Sequence, residues 1–134
     1  MSRSAFLVVT AVAEVLTGLF LLLWPAVTLA LLLRGPAAAP ETLLVARAAG
    51  TALIAIGVMG GLARGDAGGR ALRAVLMGIL LYDLAVAAVL AYAGIWLGFT
   101  GVLLWPAVAA HLALAIWCAR CLYLADEPMR ADGA

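Results

Sequence analysis

Four long apolar stretches divide the chain, and each carries one ionisable residue: Glu14, Arg47, Asp83 and His111. The first stretch runs from Ala5 to Leu33 and is broken only by Thr10, Glu14, Thr17 and Thr28. A membrane-crossing helix needs about 20 apolar residues, so this run exceeds one upright span. Trp24-Pro25 supplies the break, because Trp favours the membrane interface and Pro lacks a backbone donor. The pattern predicts spans at about 5–24, 41–63, 71–93 and 102–124, with a short interfacial segment at about 25–34. Gly35 to Pro40, the Gly-rich turn Arg64 to Arg70, and Gly94 to Gly101 separate them. Asp126 to Ala134 reads as part of a charged cytoplasmic tail from about residue 125.

Composition turns this pattern into a class. The chain is 68% hydrophobic and 11% charged over 134 residues. Soluble domains hold about 45–50% and about 25% respectively, so the expected solvent is lipid. The expectation is one all-α, integral membrane four-helix bundle. A secretory signal is a poor alternative, since the first run is far longer than a signal core and holds Glu14 in its middle. A net charge of +1 gives no case for nucleic acid as a partner. With the N-terminus inside, Arg3, Arg64, Arg70, Arg73, Arg120 and Arg130 fall on the cytoplasmic side and Arg34 on the other. That bias predicts both termini in the cytoplasm.

Depth along the spans decides whether the polar residues can meet. Glu14, Asp83 and His111 each fall near the middle of a span, at a common level for a rise of about 1.5 Å per residue. Arg47 sits about six residues from the outer end of its span, where its side chain either reaches inward or snorkels outward. A charge at a helix centre costs about 2.5–3.5 kcal/mol on insertion scales, which favours an inward cluster. Thr10, Glu14, Thr17 and Gly18 share one face of the first span, Arg47, Gly50, Ile54, Gly57 and Gly61 one face of the second, and Ala107, His111, Ala115 and Cys118 one face of the fourth.

The expected site is therefore Glu14, Arg47, Asp83 and His111, with Thr17 and Tyr82 beside it. Two carboxylates, one Arg and one neutral His leave one negative charge in excess, so the set is expected to hold a labile proton. Two readings stand side by side. One is a pocket for a small polar ligand, a lipid head group or a proton. The other is an ion network that fixes helix register. A metal is not expected, because there is one His and Arg47 would repel a cation. No cofactor and no catalytic residues are expected.

Two weaker signals add little. Cys118-Ala119-Arg120-Cys121 is a C-x-x-C that is expected to close the fourth span, where the helix dipole opposes a thiolate. Four-helix thiol oxidoreductases of the vitamin K epoxide reductase type add a second cysteine pair, which this chain lacks. Gly65-Asp66-Ala67-Gly68-Gly69-Arg70 lacks the Lys-Ser/Thr of a phosphate loop and reads as a turn.

Arg47-Ala48-Ala49-Gly50 with Gly57, the Tyr82-Asp83 pair, and Leu104-Trp105-Pro106 five residues before His111 carry a resemblance. Over about residues 5–124 the chain resembles small bacterial four-helix membrane proteins of the DoxX-like kind. The resemblance implies a bacterial inner-membrane bundle with no catalytic residues to carry over. Some DoxX-like proteins are partner subunits in quinone or thiosulfate oxidation. The expectation is a non-enzymatic accessory or small-ligand-binding membrane protein. The alternative is a proton-coupled or quinone-linked subunit of a larger membrane complex, or a homo-oligomer, with a quinone-like ligand.

Overall fold

A computed structural model describes residues 2–35, 38–66 and 69–131, with side chains described as far as Tyr123. Among the described residues there are five helices and no strand: α1 (Arg3–Leu23), α2 (Pro25–Leu33), α3 (Pro40–Ala63), α4 (Arg70–Ile95) and α5 (Leu104–Ala131). Four of them are long and apolar enough to cross a membrane: Arg3–Leu23, Pro40–Ala63, Arg70–Ile95 and Leu104–Tyr123. At most 33% of each apolar window is buried, so most of each helix presents apolar side chains outward. Leu62 is 79% exposed and Leu81 71% exposed, a surface that water would penalise and hydrocarbon would not.

Local chemistry sets the breaks. The Ser2 hydroxyl accepts from the Ala5 N–H and caps α1. Trp24 leaves helical geometry between Leu23 and Pro25, and Pro25 takes the first position of α2, where its missing donor costs nothing. The Thr28 hydroxyl donates to the Trp24 carbonyl and ties the new helix to the break. Arg34 closes α2 in the left-handed region at φ 49°. The interfacial segment expected at about 25–34 is thus a discrete helix. It is held to the α4–α5 connection by the Leu103 N–H donating to the Leu31 carbonyl. Gly101 lies so close to the Leu32 carbonyl that no side chain fits there.

The helices pair in antiparallel fashion. α1 packs on α3 through glycine: a Cβ on Gly50 would stand 2.6 Å from the Gly18 carbonyl oxygen, and one on Gly57 would stand 2.8 Å from the Ala11 carbonyl oxygen. Such backbone contact is the usual basis of association in lipid, where burying apolar surface gives no net drive. α4 packs on α5, with Gly94 against Leu104 and Trp105. The two pairs meet in two apolar clusters. Phe6, Leu7, Leu72, Leu76, Ile79, Cys118 and Cys121 fill the Arg-rich end. Leu21, Ala46 and Leu53, with Leu29, Ile56 and Tyr82 against them, fill the half nearer α2.

The expected boundaries hold to within a few residues except at the C-terminus. Residues 125–131, expected as a tail, continue the backbone of α5, and residues 132–134 lie outside the described residues. Elongating an existing helix costs far less than nucleating a new one, which lets α5 run past the span in spite of Pro128.

Candidate functional site

Between the two apolar clusters lies a polar layer assembled from three helices. On α1, the buried residues Thr10, Glu14, Gly18 and Leu21 follow a helical stripe, which carries Glu14 into the interior at 3% exposure. On α4, the stripe Leu72, Leu76, Ile79, Asp83 and Ala87 does the same for Asp83, which is fully buried. On α5, Leu104, Val108, Ala115 and Cys118 are buried on the side that bears His111. The expected meeting of Glu14, Asp83 and His111 is what the structure shows.

The contacts are specific. His111 Nδ1 lies 2.9 Å from Asp83 Oδ1, and the imidazole retains 18% exposure. The Tyr82 hydroxyl donates to Glu14 Oε2 at 3.1 Å. The Tyr82 ring meets the His111 ring edge-on, with centroids 5.7 Å apart. One donor atom from each of Glu14, Asp83 and His111 lies within 4.8 Å of the other two. The layer is under-filled in hydrogen bonds. Asp83 Oδ2 is buried with no partner, and so is the Thr10 hydroxyl, one turn from Glu14 on the same buried face. Buried acceptors without partners are uncommon in folded proteins, and they are costly where the dielectric is low.

Two expected members stand elsewhere. Arg47 is exposed on α3, where Ala46 and Gly50 take the buried positions. The guanidinium is thus outside the layer, and the formal charge of the layer is that of two carboxylates and one imidazole. Thr17 is also exposed, at the edge of the Glu14 face. It lines a cavity of about 390 Å³ between α1, α2 and α5, together with Phe20, Thr28, Leu31, Leu103 and Ala107. Thr17 lies three residues beyond Glu14, and Ala107 four residues before His111. The cavity therefore opens about one helical turn from the polar layer. The Trp24-Pro25 break is the sequence signal behind it, because the turn folds α2 back beside α1.

The cysteines also depart from expectation in position. The helix runs on to Ala131, so Cys118 and Cys121 sit within α5 and not at its end. Both are free and buried, and the Cys118 thiol donates to the Leu76 carbonyl at 3.2 Å. That contact makes Cys118 part of the α4–α5 packing.

No family model, curated protein or solved structure matches the chain.

Proposed function

We propose that the protein is a small, non-enzymatic, multi-pass protein of a bacterial inner membrane, with both termini cytoplasmic, that binds a small polar ligand in the layer of Glu14, Tyr82, Asp83 and His111. The observation that carries this reading is the unpartnered Oδ2 of the fully buried Asp83. A network built only to fix helix register would saturate its acceptors, because a half-satisfied buried ion network destabilises a fold. This layer instead offers free acceptors and lacks the cation that Arg47 would have supplied. The complement it calls for is a ligand bearing positive charge or hydrogen-bond donors.

The test is a native mass spectrum of the full chain released from mild detergent. The wild type is expected to carry a small-molecule or ion adduct. Asp83→Asn is expected to lose it while melting at a similar temperature. A bare wild-type chain, or the same adduct on the variant, overturns the proposal.

A second reading is favoured by the cavity beside α2. Its walls are apolar except for Thr17 and Thr28, and its size falls in the range of small-molecule pockets, about 300–1,000 Å³. A quinone-like amphiphile would place its apolar body there and its head group one turn away against His111. Such a ligand suits an accessory subunit of the DoxX-like kind. Loss of a quinone-sized adduct on Ala107→Trp, with the Asp83 variant unchanged, is the result that would favour this reading over the first.

A further inference from the structure

We propose that the polar layer is a divalent metal site in which Glu14, Asp83 and His111 bind a first-row transition-metal ion. This rests on the ligand-binding reading above and names the chemical class of the ligand. Three observations carry it. The first is convergence. Residues from three separate helices bring one oxygen, one oxygen and one nitrogen donor within 4.8 Å of one another in the middle of a membrane-spanning bundle. Ligand bonds to such an ion are about 2.0–2.2 Å long, so closing on it asks each side chain to shift by about an ångström or less.

The second observation is charge. Two carboxylates and a neutral imidazole around a divalent ion form a neutral unit, which is what a low-dielectric interior requires. An arginine within the layer would repel the ion, but Arg47 stands exposed on α3 and leaves the carboxylates to it. The third is the pattern of used and unused atoms. His111 Nδ1 and Asp83 Oδ1 stand 2.9 Å apart, the separation of two adjacent ligand atoms on one ion with bonds of about 2.1 Å. The Tyr82 hydroxyl donates to Glu14 Oε2, a contact of the kind that orients a ligating carboxylate. Asp83 Oδ2 remains buried and free, and the Thr10 hydroxyl, 1% exposed, is unpartnered one turn below Glu14. The supporting contact to Glu14 is made, while acceptors suited to an ion stay open.

The donor set narrows the choice of ion. Two carboxylates with one imidazole suit Mn²⁺, Fe²⁺ or Zn²⁺. Ions that demand all-oxygen shells, and copper(I), which seeks sulfur, fit less well. Cys118 lies seven residues beyond His111 on α5, and its thiol is engaged by the Leu76 carbonyl.

The probe is Co²⁺, whose visible absorption reports coordination. Full-length protein in mild detergent is stripped with chelator and titrated with Co²⁺, then with Zn²⁺. The expected result is a visible band that saturates at one ion per chain, is displaced by Zn²⁺, and persists in Cys118→Ser/Cys121→Ser. Glu14→Gln and His111→Asn are expected to weaken uptake by at least about tenfold. If those variants fold poorly, the wild-type and double-Ser spectra decide alone. No band in the wild type, or loss of the band in the double-Ser protein, overturns the metal site. A metal-free wild type that still carries an organic adduct sensitive to Asp83→Asn overturns the metal and leaves the ligand-binding reading standing. A bare chain overturns both.

Discussion

Gly50→Ala tests whether the α1–α3 seam sets the position of Glu14. The added Cβ would stand 2.6 Å from the Gly18 carbonyl oxygen and 2.9 Å from the Leu22 nitrogen. Ordinary contact begins near 3.4 Å, so the helices must part by roughly 0.8 Å along a seam that is backbone on both sides. Overpacking of this kind costs about 1–3 kcal/mol. The better helix propensity of Ala returns at most about 1 kcal/mol. A seam whose contacts are backbone cannot rotate away and takes the upper part of the overpacking range, about 2–3 kcal/mol, so the net loss is about 1–2 kcal/mol, a factor of roughly 5–30 in the folding equilibrium. Glu14 lies between the two close approaches, Ala11 with Gly57 and Gly18 with Gly50, so the same shift displaces it relative to the Tyr82 hydroxyl. The assay is thermal unfolding in detergent, run beside Gly78→Ala. Gly78 is exposed, and a Cβ there meets nothing within 4 Å, so that variant should melt at or above the wild type. Gly50→Ala melting at or above the wild type would refute the seam as the element that holds α1.

Tyr82→Phe should lower stability by about 1.5–3 kcal/mol, since it removes a hydrogen bond to a buried carboxylate, and a melting curve reads this directly. Arg47→Ala should change stability by no more than about 0.5 kcal/mol and leave ligand or metal uptake as it was; a larger loss would return Arg47 to the layer. Phe6→Ala should cost about 3–5 kcal/mol, because Phe6 is fully buried with its ring 5.5 Å from that of Trp117. Thiol labelling followed by mass spectrometry should find both cysteines unmodified in the folded protein and both modified after denaturation.

Much of this architecture is legible in the chain because lipid imposes simple rules. Span length and the Trp24-Pro25 break place the helices, and depth counting brings Glu14, Asp83 and His111 to one level. Span ends are harder to read. Nothing in the hydrophobic pattern says that α5 runs on to Ala131, because a helix past the membrane no longer needs apolar residues.

Arg47 shows where such counting stops. A face counted as 47, 50, 54, 57 and 61 differs from the observed buried stripe, Ala46, Gly50, Leu53, Gly57 and Gly60, at every position except the two glycines that touch α1. Both series are helical stripes built on Gly50 and Gly57, rotated by less than one residue step of 100°. Periodicity alone does not choose between them. Packing chooses: Gly61 of the counted face stands against Ala11 of α1, while Gly60 of the observed stripe stands against Ile79 of α4, so the buried side is the one turned toward α4, with Ala46 inward and Arg47 out. The rotation has a chemical consequence. With Arg47 inside, the layer would be close to neutral by its own residues and closed to cations. With Arg47 outside, two buried carboxylates face a single imidazole, an arrangement that calls for positive charge from elsewhere.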